Sequence, residues 1–249
     1  MDTCPNFKSS YSYLVYTGDN DEEACALGYL FREIHSLNIK NGLNLEKYII
    51  EELKKFGITT LTKNKKDTFY DKVKEIANGM EPGNNQLIAV SQLKIPKEEF
   101  VEHNNRFSND IDRPKLIMKN KKSIHLDFAV FLPNKNVKLF EVKFGCVFDT
   151  KKSKGEVDSL MKIKQLLEED GYTVADVGLV SFMANDVKQI SVKTVLYDVK
   201  LFTGLQFLQV FGLGQESRRR IFSRYEENAS KNKKMIYTRF TEIMTKYNS

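Results

Sequence analysis

Tryptophan is absent from this chain, and cysteine, proline and histidine are scarce: three, five and three in 249 residues. Cys4, Cys25 and Cys146 are odd in number and show no CxxC spacing. That argues against a disulfide framework and against a zinc site. Cys146 has no histidine close in sequence to activate it, so it reads as an ordinary thiol. No GxxxxGK[ST] string is present, which removes the P-loop nucleotide-driven classes. No apolar run approaches the length of a membrane span, and Met1-Asp2-Thr3-Cys4-Pro5 has no signal-peptide character. The expectation is a soluble, cytoplasmic protein without repeats or low-complexity segments. What is abundant is basic charge. The formal net charge of +6 and a pI near 9.0 point mildly towards a polyanionic partner.

The most informative stretch lies mid-chain. His125-Leu126-Asp127-Phe128-Ala129-Val130-Phe131-Leu132 is followed by Pro133-Asn134-Lys135-Asn136 and then Val137-Lys138-Leu139-Phe140-Glu141-Val142-Lys143-Phe144. Two apolar runs around a Pro/Asn turn predict a β-hairpin. The unbroken run Phe128–Leu132 predicts a first strand buried on both faces. Asp127, Glu141 and Lys143 are set into these strands. Glu141 and Lys143 are two apart and share a strand face, and His125 would share a face with Asp127 by the same rule. Charges on interior strands are costly unless they pair or hold a metal. Both possibilities describe an active site better than a core.

Asp127, thirteen intervening residues and Glu141-Val142-Lys143 resemble the signature of the PD-(D/E)xK nuclease superfamily, with Leu126 where the name has proline. The resemblance covers roughly residues 43–182. It implies that Asp127 and Glu141 hold Mg2+, that the Val142 carbonyl is a further ligand, and that Lys143 stands beside the attacking water. It also implies an acidic residue from a helix ahead of the core, for which Glu46 is the candidate. Other matches to the short string exist: Glu52-Leu53-Lys54, Asp149-Thr150-Lys151, Asp186-Val187-Lys188 and Asp198-Val199-Lys200. The serious rival is Asp198-Val199-Lys200 with Asp186 twelve residues before it. Only Glu141-Val142-Lys143 has a hairpin partner carrying an Asp and an amphipathic helix after it.

Around this centre, a short strand is predicted at Tyr11–Thr17, and helices from Asp19 to Leu37, from Leu43 to Phe56 and from Asp67 to Met80. Asn41-Gly42 is read as a break. Gln86–Ile95 reads as a strand and Pro96–Asn120 as a long irregular loop that could lie against DNA, with Arg106 and Arg113 as candidate DNA contacts. After the hairpin, Lys151, Lys152 and Lys154 lead into a helix over 154–169, whose N-terminus suits a phosphate. Its apolar face is expected to be Val157, Leu160, Met161, Lys164 and Leu167, with Ile163 and Leu166 beside it. Strands follow near 172–182 and within 189–202. Gly204–Gly214 is apolar and predicts a short helix. One or two basic helices close the chain, with Arg218, Arg219 and Arg220 as phosphate contacts.

A strand–helix–strand connection of this length implies a parallel pair in a mixed sheet. The expected fold is α/β: a three-layer α/β/α sandwich around a mixed central β-sheet, restriction-endonuclease-like, with extra N- and C-terminal helices. We expect one nuclease domain over 1–249, its core near 43–200 and a basic helical region at 204–249. The function expected from the resemblance is a Mg2+-dependent, sequence-specific endonuclease acting on double-stranded DNA, as in type II restriction enzymes. A homodimer with its interface on Gly204–Leu213 and the C-terminal helices would cut both strands. A structure-specific or repair nuclease, and a non-catalytic DNA-binding protein, are the alternatives.

Overall fold

The computed structural model describes residues 21–62, 69–81, 86–102, 117–148 and 150–247. Arg106, Arg113 and the strand expected at Tyr11–Thr17 lie outside them. In chain order the elements are α1 (Asp21–Lys55), β1 (Thr59–Thr62), α2 (Phe69–Asn78), β2 (Ile88–Glu102), β3 (Ile117–Leu132), β4 (Asn136–Lys143), β5 (Val147–Phe148), α3 (Thr150–Glu169), β6 (Thr173–Ser181), β7 (Ser191–Val192), β8 (Lys200–Thr203), α4 (Gly204–Gln209) and α5 (Gln215–Tyr247). Among the described residues no helix is long and apolar enough to cross a membrane. The chain divides into two compact units, a helical one of Met1–Ile49 with Gln215–Ser249 and an α/β one of Ile50–Gly214.

The helical unit is built on two long helices. The break expected at Asn41-Gly42 does not occur, and α1 is a single helix of 35 residues. A helical glycine costs about 1 kcal/mol against alanine. Asn41 offsets this by accepting side-chain amide hydrogen bonds from Asn228 (3.2 Å) and Asn232 (2.9 Å) of α5. Nearby, the Arg224 guanidinium stacks over the Tyr48 ring, 4.4 Å from its centroid.

The α/β unit holds a six-stranded mixed sheet in the order β1-β2-β3-β4-β6-β8. β1 is parallel to β2, β2–β3–β4 is an antiparallel meander, and β4, β6 and β8 run parallel. The predicted hairpin is β3–β4. Three residues, Pro133, Asn134 and Lys135, separate the paired Leu132 and Asn136, and the turn closed by Asn136 N–H on Pro133 O (3.4 Å) has positive φ at both of its central residues, Asn134 (60°) and Lys135 (55°). β5 and β7 form a small parallel pair of their own. α3 begins at Thr150, earlier than its apolar pattern suggests, and ends where Gly171 adopts φ 83° and Tyr172 N–H closes on Leu167 O at 2.9 Å.

Both faces of the sheet are covered. On one, α2 and α3 bury Val73, Val157, Leu160, Ile163 and Leu167 against Ala129, Phe131, Leu139, Val177 and Leu179. Ile163, expected beside that face, is fully buried, while Lys164, expected on it, pairs with Asp198 at 3.4 Å. On the other face, Phe207 of α4 meets Phe128 (5.5 Å between centroids), Phe140 (5.2 Å) and Phe211 (5.3 Å), all edge-on. The apolar Gly204–Leu213 segment is therefore used up inside its own unit: Phe207, Leu208, Phe211 and Leu213 are buried.

Asp176 shows the charge pattern of the strands beyond the site. Burial alone would raise its pKa, but Lys138 (2.8 Å) and Lys200 (2.7 Å) outweigh that and hold it below the ordinary carboxylate range. Folded protein therefore binds this proton more weakly than unfolded chain. Its stabilisation is complete above the unfolded value, about 4, and fades as pH falls below it. The thermal midpoint of Asp176→Asn should depend less on pH there than that of the parent protein. Identical pH slopes would assign the acid sensitivity to other carboxylates.

Candidate active site

The site forms where β3 parts from its neighbours. β3 pairs with β4 as far as Phe128↔Phe140. On its other side, Ser91↔Phe128 and Leu93↔Leu126 pair, but Gln92 and Asp127 between them do not. Gln92 has φ 53°, unusual for a residue with a side chain. The burial pattern changes phase at the same point. Ile88 and Val90, then Leu93 and Ile95, join one core cluster on β2; Ala129 and Phe131, then Leu126, join it on β3. Each strand thus carries one residue surplus to strict alternation, and on β3 it is Asp127. His125, exposed and 3.5 Å from Ser123 Oγ, consequently does not share Asp127's face as an ideal strand would require.

Past the last ladder pair, the Val142 N–H donates to Asp127 Oδ2 at 2.9 Å. This fixes the carboxylate against β4. Glu141 and Lys143 follow Leu139 in the phase that faces α3, and Val142 is buried. Lys143 Nζ lies 2.7 Å from Glu141 Oε1, 3.9 Å from Asp127 Oδ2 and 3.2 Å from Glu156 Oε1 of α3. Burial alone would lower the pKa of Lys143. The carboxylates of Glu141, Asp127 and Glu156 more than offset it and hold the ammonium charged well above its ordinary range.

Three carboxylates around one ammonium leave the cluster formally anionic by two charges, a setting that favours a cation. The donors are hard carboxylate oxygens, the kind Mg2+ takes while keeping several waters. Asp127 and Glu141 fit that requirement. Among the described residues no group of three or more His, Cys, Asp or Glu side chains is arranged to hold a metal ion by itself.

Glu156 was missed in the sequence, where it reads as part of a polar, lysine-rich lead into the helix. The available signal was helical phase. Glu156 sits three after fully buried Ser153 and beside Val157, on the inward stripe. Glu46, expected as the helix acid, lies half-buried in the helical unit. Glu52, farther along α1 and within the α/β unit, is only 1% exposed, with Lys55 Nζ 3.4 Å from its Oε2. The rival set disperses: Asp186 Oδ1 caps Lys188 N–H at 2.8 Å, Asp198 pairs with Lys164 and Lys200 with Asp176.

The expected phosphate contacts divide. Lys151 and Lys152 fall in the first turn of α3, followed by exposed Lys154. Arg218 is buried, Arg219 is exposed, and Arg220 sits 3.4 Å from Glu216 and 3.0 Å from Ser217 Oγ. These three arginines therefore do not form one solvent-facing patch. Compared with protein-family models, curated proteins and solved structures, the chain finds no match.

Proposed function

We propose that the protein is a Mg2+-dependent endonuclease that hydrolyses phosphodiesters of double-stranded DNA at defined sequences, as type II restriction enzymes do. The observation that carries the reading is the convergence of Asp127 and Glu141 on Lys143, from adjoining strands and beside the start of α3. The surrounding order supports it. A meander followed by a helix and a parallel strand, with helices on both sheet faces, resembles the three-layer α/β/α core of the PD-(D/E)xK nucleases.

Asp127 and Glu141, with the Val142 carbonyl, would hold the ion. When bound, Mg2+ supplies water activation and neutralises charge on the phosphate. Lys143 orients the attacking water and stabilises the negative charge that develops on the phosphoryl oxygens. Glu156 and the Asp127 carboxylate restrain the lysine, so its cation is placed before substrate arrives. The start of α3, with Lys151, Lys152 and Lys154, offers N–H groups and positive charge to a flanking phosphate. A two-fold dimer is the simplest way for one such set per chain to break both strands.

A second reading, a DNA-binding protein without catalysis, draws on the same ion pairs, since Lys143 already neutralises part of the acidic charge. Incubation with plasmids of known sequence in magnesium separates the two. Discrete fragments with mappable ends are expected. A smear would favour a structure-directed or repair nuclease, and intact plasmid across many sequences would favour the binding protein.

A further inference from the structure

Gln92 stands across from Asp127, at the gap in the β2–β3 ladder. Intact pairs flank it on both sides, Ser91↔Phe128 and Leu93↔Leu126, so the register sets the two residues opposite each other. Opposed residues of antiparallel strands lie roughly 4.5–5.5 Å apart at Cα. Gln92 is half-buried. Among the described residues the other positive φ values outside glycine, at Asn134, Lys135 and Tyr197, fall in turns, whereas Gln92 holds one inside a strand. That left-handed conformation is costly for a residue with a β-carbon and nearly free for glycine.

The fold requires the conformation, which lets Leu93 and Ile95 reach the core beyond the gap. It does not require glutamine, since glycine would supply the same backbone without strain. Nor is the cost offset by a contact of the side chain, whose amide makes no hydrogen bond among the described residues. A strained residue with no such compensation in the fold points to a functional contact. The neighbouring site shows what that contact would add. Asp127, Glu141 and Glu156 present only acceptor oxygens, and Lys143 is held among them. A phosphate arriving on the Asp127 side meets surplus negative charge. A neutral amide donor there attracts the phosphate and adds no further charge to the cluster.

We infer that the Gln92 side-chain amide donates a hydrogen bond to a phosphate oxygen of the bound substrate, beside Asp127. The site thereby gains a substrate contact from β2, in addition to the groups on β3, β4 and α3. The inference rests on the nuclease reading above. Its test compares the parent chain with Gln92→Gly and Gln92→Glu in four measurements: duplex binding in calcium, cleavage in magnesium, calcium affinity without DNA, and thermal midpoint. Gln92→Gly relieves the backbone and removes the donor. Its midpoint should rise by roughly 2–4 °C, while duplex affinity and kcat/KM should each fall roughly 10–100-fold. Gln92→Glu keeps the length but replaces the donor with an anionic acceptor, so it should lose at least as much. Calcium affinity of Gln92→Gly without DNA should match the parent, because the amide contacts substrate and not the ion.

Parental binding and cleavage by either variant would overturn the inference and leave the nuclease reading standing. A lower midpoint for Gln92→Gly, or its failure to fold by circular dichroism, would overturn it by assigning the side chain to the fold. Weakened calcium affinity of Gln92→Gly without DNA would overturn it by placing Gln92 around the ion. Failure of the parent to bind or cleave any duplex would bring down both readings together.

Discussion

Asp127→Ala, Glu141→Ala and Lys143→Ala should each lose cleavage in magnesium by roughly 10²–10³-fold or more while remaining folded. Asp127 and Glu141 are the carboxylates placed to hold the ion, and among the described residues Lys143 is the lysine that pairs with both. In the two acid variants folding should not suffer, because three carboxylates facing one ammonium repel each other and losing one relieves that strain; Lys143→Ala removes the cation they share and should lower the thermal midpoint. Binding in calcium should persist in the two acid variants, since the phosphate then meets less negative charge. Glu156→Gln keeps shape but removes the third carboxylate, so a smaller loss of about 10–100-fold is expected, as for groups that hold a metal-site residue in place. Asp186→Ala, Asp198→Ala and Lys200→Ala should cut at near-parental rates. Cleavage rate, calcium binding and circular dichroism measured side by side decide the matter. Activity that survives Glu141→Ala but not Asp198→Ala would move the site to β8.

Phe207→Ala should be the most destabilising single truncation on the α4 face of the sheet, by about 3–5 kcal/mol. Phe207 is fully buried, and its ring meets three others edge-on. The cavity would open between Phe128 and Phe140, which belong to different strands, so no single side-chain shift can close it. For a chain of this size the thermal midpoint should fall on the order of 10 °C. Tyr237→Ala, at a position 72% exposed, should stay within about 0.5 kcal/mol of the parent. A midpoint for Phe207→Ala within a degree of the parent would mean that α4 does not seal this face.

The hairpin was legible in the sequence because three independent signals agreed there: the continuous apolar run of β3, the alternation of β4 and an Asn-containing turn. Gly57 and Gly171 marked helix ends because each adopts the positive φ that glycine accepts freely. The acid–lysine spacing brought Asp127, Glu141 and Lys143 together for a related reason, since a short turn fixes the register of the strands it joins. Other features depended on partners distant in sequence. Asn41-Gly42 looks like a stop until Asn228 and Asn232 come to meet it. Glu156 looks like a solvated carboxylate until α3 is laid against β4. The outer parts of β2 and β3, from Pro96↔Ser123 to Glu102↔Ile117, looked like loop because Pro96 and mixed charges disguise a ladder whose evidence is the register, not the composition. Arg218 looked like a surface cation because three adjacent arginines on a helix point in three directions.

The reversal at Gln92 and Asp127 has a bearing on descent and on engineering. Were both residues deleted, Ser91 would run into Leu93 and Leu126 into Phe128 with ordinary alternation, every core side chain keeping its present side. The aspartate on which the proposed chemistry depends is thus dispensable to the pattern that folds the sheet. Deleting one of the two alone would instead shift the β2–β3 register beyond Leu93↔Leu126 by a residue. A lineage can therefore gain or lose this centre by a matched pair of single-codon events in two strands, leaving the scaffold intact.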